Sequence, residues 1–474
     1  MRHKFLSALA VGFIVTACGD LTSINQNPNG PVDVPPPSIL PSVIQTLVGG
    51  VNGVNSLNVR GGGLWVQYYS EIQYRDEDKY IVRSGTSGGW GFYTNVLQDA
   101  QRMIQKGEAS SIPNWSAVGR ILKSYTFGVM TDAMGDLPYS QALKGDTVLA
   151  PAYDTQQAIY NGLLADLAQA SSEIDLAGVG FATGDLMYDG NMGRWRKFAN
   201  SLRLRLAIRL SNVDATKAAN EAAAAVAAGV FTSNADNAQL MYLATSPNRN
   251  PIYNDARGRD DYGLSKTYVD SLTSWNDPRL PIFAQINPAG TGYQGLPNGL
   301  NDGEGTPIVN ISRIGAYWRE TPNAPMHLST YSEVLFLQAE AAERGWIVGS
   351  AATFYADAIR ASMEQYGVAA AAITTYLADS RVTYVPGATG LQQIAYQKWV
   401  SMFMQGMEAW TEWRRTLVPA LVPGPRAVLS NIPERLPYDD NEAVLNKVNL
   451  DAAVAAQGLG AGNNLTTPLW FTGR

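Results

Sequence analysis

Apolar residues recur at steps of three and four along most of this chain, the spacing of helices that bury one face. The periodic segments, with plausible start and stop residues, fall at about 40–58, 89–107, 115–134, 155–174, 191–211, 214–229, 329–346, 350–366, 389–416 and 441–456. The predicted fold class is therefore mainly α. In 389–416, Leu391, Ile394, Ala395, Trp399, Met402, Phe403, Met407, Trp410 and Trp413 keep the helical step, so these aromatics read as core. Helix pairs of similar length suggest stacked hairpins, although no repeat of the tetratricopeptide consensus is legible. Between about 230 and 325 the texture changes. "TSPNRNPIYNDARGRDDYG" and "NPAGTGYQGLPNGLNDGEGTP" are dense in Gly, Pro, Asn and Asp, residues that favour turns. A loop-rich stretch of that length is uncommon unless it serves binding, and helices resume after it, so the pattern reads as one domain with an insertion.

The N-terminus breaks the pattern. Arg2, His3 and Lys4 precede an apolar run from Phe5 to Thr16, about the length of a signal-peptide core and too short to span a bilayer. Val15-Thr16-Ala17-Cys18 resembles a bacterial lipobox, which makes Cys18 a lipidation site and residues 1–17 a signal peptide; an ordinary cleavage site with an accidental cysteine is the competing reading. Residues 18–39, rich in Pro and Asn, read as an extended tether, and 40–474 as the domain. Cys18 is the only cysteine, so no disulfide can form within the chain. Removing Arg2 and Lys4 leaves 33 basic residues against 41 acidic ones. That balance argues against nucleic acid as a partner.

Motifs that would carry catalysis are few. Gly85-Thr86-Ser87-Gly88-Gly89 fits the G-x-S-x-G nucleophile elbow, and His327, the one histidine of the mature chain, lies downstream of it. An exported serine hydrolase or esterase is thus an alternative, weakened because the chain lacks the alternating strands and helices of that fold. No two-histidine zinc site can be built, no phosphate-binding loop is present, and no cofactor is expected. Asn301, Asp302 and Glu304 could offer carboxylate and amide oxygens to Ca²⁺, but the reading preferred is solvated loop charges. The basic helix carrying Arg194, Arg196, Lys197, Arg203, Arg205 and Arg209 around a stripe of Trp195, Phe198, Leu202, Leu206 and Leu210 reads as a solvated or salt-bridged face, and Glu408, Glu412 and Arg415 as surface pairs.

Several phrases, in order, resemble the SusD/RagB family of nutrient-binding outer membrane lipoproteins. They are "INQNPNGP", "GDLPYSQAL", "RWRKFANSLRLRLAIRLSNVD", "EVLFLQAEAAERGW", "YQKWVSMFMQGMEAWTEWRRT" and "RLPYDDNEAVLNKVN" to "NNLTTPLWF". The resemblance implies a tetratricopeptide-like helical scaffold with a loop-rich ligand face and few short strands. It also implies a binding protein, not an enzyme: a lid over a SusC-like TonB-dependent transporter, held to the outer membrane through a lipid and facing the cell surface, which captures an oligosaccharide or a peptide. On the family's pattern the ligand-binding candidates are Trp90, Tyr93 and Asn95, with Arg83 and Asp76 as polar partners, and Tyr317 and Trp318 from the insertion. Asp136 and Tyr139 in "GDLPY" read as architecture. A lipid-anchored scaffold or adhesion protein is the third reading.

Overall fold

Ile39, Leu40, Val43, Ile44, Leu47, Val48 and Val51 repeat at the helical step and are all buried, which is why this segment forms a helix, α1 (Pro36–Asn52). The structure, a computed structural model, describes residues 33–82, 89–460 and 464–474. Residues 33–35 belong to a separate unit and have no regular structure, whereas Pro36–Arg474 make up one compact unit that contains every element named below. α1 starts at Pro36, inside the stretch expected to be extended. A proline in the first helical turn loses no intrahelical bond, because its N–H would have been an orphan there.

The next five helices, α2 (Gln98–Ala109), α3 (Pro113–Met134), α4 (Gln156–Glu173), α5 (Met192–Arg209) and α6 (Ala215–Ala228), each pack against the next in the chain. Thr155, Asn191 and Asp214 start three of them by accepting a backbone N–H with the side chain. α7 (Tyr331–Glu343) and α8 (Ala351–Gln365) form a further pair, succeeded by α9 (Ala388–Ser401), α10 (Gly406–Thr416) and α11 (Lys447–Ala456). This is the expected helical scaffold with few strands.

The segment 389–416 is two helices, not one. It breaks at 402–405, where Met404 adopts φ 71°. The cause is a contact with no room for a Cβ. A Cβ on Gly406 would lie 2.0 Å from the Asn58 carbonyl oxygen, and one on Gly62 would lie 2.1 Å from the Gly406 carbonyl oxygen. The first turn of α10 therefore sits backbone to backbone on the helical turn Leu57–Gly63.

All three sheets among the described residues are two-stranded and antiparallel: β1 (Tyr69–Glu71) with β5 (Tyr262–Leu264), β2 (Leu137–Pro138) with β3 (Tyr153–Asp154), and β4 (Ala238–Leu240) with β6 (Met326–Ser329). β4 and β5 belong to the loop-rich insertion, so two sheets stitch it to the scaffold. Short helices at Pro251–Asp255, Lys266–Ser274 and Leu280–Phe283 give it further order.

The charged helix faces are salt-bridged, one of the two readings offered for the basic helix, but the structure corrects their placement at the surface. Arg205 and Arg209 of α5, Glu333 and Glu340 of α7, and Glu408, Glu412 and Arg415 of α10 are all buried, not surface groups. Arg205 grips Glu333 at 2.5 and 2.6 Å, Arg209 bridges Asp132 and Glu408, and Arg415 holds Glu340 at 2.5 and 2.7 Å while also meeting Glu412. Such charges survive burial only because each is paired and hydrogen-bonded. Arg194, Arg196, Lys197 and Arg203 of the same helix remain partly exposed, as expected.

Candidate functional site

Thr46, Gly49 and Gly50 of α1, with Gly53 just past its end, recur at helical spacing beside the apolar face, and they form one wall of a cavity of about 550 Å³. The turn Leu57–Gly63 supplies Leu57, Arg60 and Gly61, with Asn55 and Ser56 before it, and the segment leading into α2 supplies Gly89, Gly91, Phe92 and Asn95. The glycines have two functions. A Cβ on Gly50 or Gly89 would strike the Phe92 ring at 2.5 Å, so these two admit the ring. A Cβ on Gly49 would meet nothing within 4 Å among the described residues, so that position widens the cavity. The result is an apolar floor with amide, hydroxyl and guanidinium groups around it, the composition of a pocket for a polar organic ligand.

A second cavity, of about 250 Å³, lies where β1 ends and β5 begins, with Glu71 opposite Tyr262 in the ladder. Arg60 lines both cavities. Its Nε is 3.3 Å from the Tyr262 hydroxyl and 3.9 Å from Glu77. Glu71 is 2% exposed, and burial, reinforced by the charges of Glu77 and Asp78, pushes its carboxyl up to about 10. Asp78, buried against Ser70 and Asn298, is pushed up to about 6, again chiefly by loss of solvation.

The candidate ligand residues divide among several places. Asn95 is exposed on the rim of the larger cavity. Trp90 is half-buried and joins a neighbouring aromatic cluster, 5.2 Å from Tyr93, 6.4 Å from Tyr153 and 6.2 Å from Tyr438. The Tyr93 hydroxyl donates to the Pro138 carbonyl at 2.6 Å, and burial holds its pKa well above the usual value. Asp76 is half-buried ahead of the short turn Glu77–Lys79, its carboxylate 3.6 Å from the Lys79 ammonium; Glu77 of that turn lines the smaller cavity. Trp318 is 0% exposed and packs on Phe283, Tyr366 and Phe403, so its ring presents no face to a ligand. Tyr317 leans on Trp318 and Tyr366 and lines neither cavity. Cys18, Arg83 and Ser87 lie outside the described residues.

Sequence reasoning missed Arg60, Glu71, Tyr74 and the α1 glycines. For the glycines and Arg60 the signal was "GGVNGVNSLNVRGGG", a glycine-dense run that begins in the last turn of an apolar helix; Glu71 and Tyr74 lie beyond that run.

His327 is 5% exposed on β6; its Nε2 meets the Gln365 amide at 3.3 Å, and desolvation lowers its pKa to about 4. An imidazole so placed meets an amide where a catalytic base would meet an orienting carboxylate. The Glu304 carboxylate is engaged by Arg426 at 3.0 Å and by the Asn301 N–H at 3.0 Å, and among the described residues no group of three or more His, Cys, Asp or Glu could hold a metal ion. Asp136 caps the entry to α4 by accepting the Gln156 N–H at 2.8 Å, and the Tyr139 ring packs on Phe127, both roles of architecture.

The family described as SusD-like, starch-binding and associating with the outer membrane, matches residues 28–439. The chain belongs to the SusD-like family. Among solved structures it is similar to a chitin-binding protein at 30% identity, with a TM-score of 0.81 over 93% of this chain and 100% of that one. A SusD homologue from Bacteroides fragilis gives 26% identity and a TM-score of 0.82 over 93% and 99%. A chitin-binding SusD homologue from Flavobacterium johnsoniae gives 26% and 0.80 over 91% and 98%. No curated protein matches the sequence. The SusD-like assignment places the chain among nutrient-binding proteins associated with the outer membrane. No helix among the described residues is long and apolar enough to cross a membrane.

Proposed function

We propose that this SusD-like protein is a lipoprotein of the cell surface, tethered through an acylated Cys18, that captures an oligosaccharide without cleaving it and passes it to a TonB-dependent, SusC-like transporter. The carrying observation is the glycine-walled cavity. The glycine Cα–H surface laid over the buried Phe92 ring suits the apolar face of a sugar ring, while Asn55, Ser56, Asn95 and Arg60 can satisfy its hydroxyls. Chitin fragments are the first ligand to try, because two similar structures are chitin-binding proteins.

Gly49 gives a direct test. It lies inside α1, where a residue other than glycine gains up to about 1 kcal/mol of helix propensity. The Gly49→Trp variant should fold at least as stably as the parent by circular dichroism and thermal melting, yet lose most affinity for chito-oligosaccharides in titration calorimetry. A variant that folds and binds undiminished places the ligand elsewhere.

A further inference from the structure

β1 ends at Glu71 and the chain turns outward through Gln73 and Tyr74, while the chain entering β5 runs through Arg259 and Asp261. The two segments are fastened together, Gln73 donating to Asp261 at 2.7 Å and the Ile72 N–H donating to the Asp261 carbonyl at 2.7 Å. At the rim of the smaller cavity Tyr74 holds φ 59° and is 58% exposed. A bulky residue in the left-handed region is uncommon and costs about 1–3 kcal/mol, a strain that persists where the surroundings impose it and that concentrates at ligand sites. Here it points an aromatic ring at solvent, with the Arg259 guanidinium 5.7 Å from its centroid.

The charges in this cavity are already settled. Arg259 pairs with Asp261 at 2.5 Å, and Arg60 faces Glu77 at 3.9 Å, so neither guanidinium waits for an anion. Glu71 adds a third carboxyl against two guanidiniums. A uronate or sulfate entering here would have to displace an acid that is already paired, whereas hydroxyls, amides or an amine meet acceptors on every side. Burial favours the neutral form of the Glu71 carboxyl, which leaves two paired carboxylates against two guanidiniums, a nearly neutral chamber with no unpaired cation among the described residues for an acidic sugar.

We propose that the two cavities are successive subsites of one groove, with Arg60 between them and Tyr74 as the outer stacking platform, and that the ligand threading both is an uncharged or amine-bearing oligosaccharide, not a polyanion. This rests on the capture function proposed for the larger cavity.

The test is titration calorimetry of the full chain purified in detergent, against chito-oligosaccharides from two to six units, their deacetylated counterparts, and oligogalacturonates of the same lengths. Affinity should rise at least tenfold along the first two series. Tyr74→Ala should remove that gain with length while leaving the shortest binding ligand unaffected, and Arg259→Ala, at an exposed position, should reduce it too. Oligogalacturonates should bind at least tenfold more weakly. Affinity that is flat with length, a gain with length that survives both substitutions, or acidic oligomers that bind as well as neutral ones would each overturn the two-subsite proposal while leaving capture intact. Absence of binding in all three series, with the fold confirmed by circular dichroism, removes capture itself and the groove with it.

Discussion

Glu71→Gln should make this protein more stable, and more so the higher the pH. The Glu71 carboxyl has almost no contact with water and faces Glu77, Asp78, Tyr262 and Arg60, and its titration is raised from 4.5 to about 10. In the unfolded chain it ionises near its ordinary value, so between the two the folded state holds a proton that the unfolded state has lost. Stability is then fully present below the unfolded value and falls as pH rises toward the folded one. Each pH unit in that window is worth about 1.4 kcal/mol, which amounts to under about 1 kcal/mol at pH 5 and about 3 kcal/mol at pH 7. Sharing of the proton with Glu77 and entry of water reduce this, so a difference of about 2 kcal/mol between pH 5 and 7.5 is the working expectation. Glutamine is neutral, nearly isosteric with the protonated acid, and keeps the oxygen that accepts the Asp78 N–H at 3.1 Å. Urea unfolding monitored by tryptophan fluorescence at pH 5, 6, 7 and 8 gives the two stability profiles. They should start together and diverge with pH, the parent declining relative to the variant. Parallel profiles would mean that Glu71 ionises like a surface carboxylate, and the account of the smaller cavity as a nearly neutral chamber would fall with it.

Arg209→Leu leaves Asp132 and Glu408 buried without their shared partner and should cost about 3–5 kcal/mol in denaturant unfolding; a loss below about 1 kcal/mol would mean that water already reaches the pair. His327 works in the opposite sense to Glu71: its pKa is lowered from 6.5 to about 4, so stability is lost as pH falls across that interval, by about 3 kcal/mol at the bottom. His327→Gln should flatten that acid limb, and an unchanged limb assigns it to other groups. Trp318→Ala should cost about 3–5 kcal/mol of stability and leave affinity for chito-oligosaccharide intact in the fraction that stays folded; selective loss of affinity at full stability would return Trp318 to the ligand site.

What could be read from the sequence was whatever repeats locally. The helical spacing of α1, α3, α5 and α7 fixed their faces because a buried stripe needs only its own neighbours at three and four residues to be visible. The break at 402–405 was invisible because its cause is a backbone contact between Gly406 and Gly62, far apart in the chain. The burial of the charged helices was invisible for the same reason. Arg205 and Glu333 are 128 residues apart, Arg209 and Glu408 are 199 apart, and Arg415 and Glu340 are 75 apart, so each looks like a solvated charge until the fold brings its partner. Polar spacing on one helix cannot distinguish a wet face from a face neutralised by another helix.

The candidate ligand site obeys the same logic from the other side. Aromatic residues drew attention to 90–95 and 317–318, yet a tryptophan carries as much apolar area for a core as for a sugar, and Trp318 is held in the core by Phe283, Tyr366 and Phe403. What marks a cavity is material left out. Thr46, Gly49 and Gly50 lie on one stripe of α1 with Gly53 just past its end, and at Gly49 the missing side chain would meet none of the described residues within 4 Å. A stripe of small residues on an otherwise well-packed helix means either another backbone pressed close or a hollow. At Gly62 the first holds and at Gly49 the second, and only the neighbours contributed by distant segments decide which. The same substitution should therefore act in opposite directions at the two positions. Gly62→Ala forces a Cβ against the Gly406 carbonyl and should destabilise the fold by at least about 1–3 kcal/mol, whereas Gly49→Ala should be neutral or stabilising in the same unfolding assay. Equal losses at both would mean that the wall of the larger cavity is packed, and that the opening assigned to the ligand is closed.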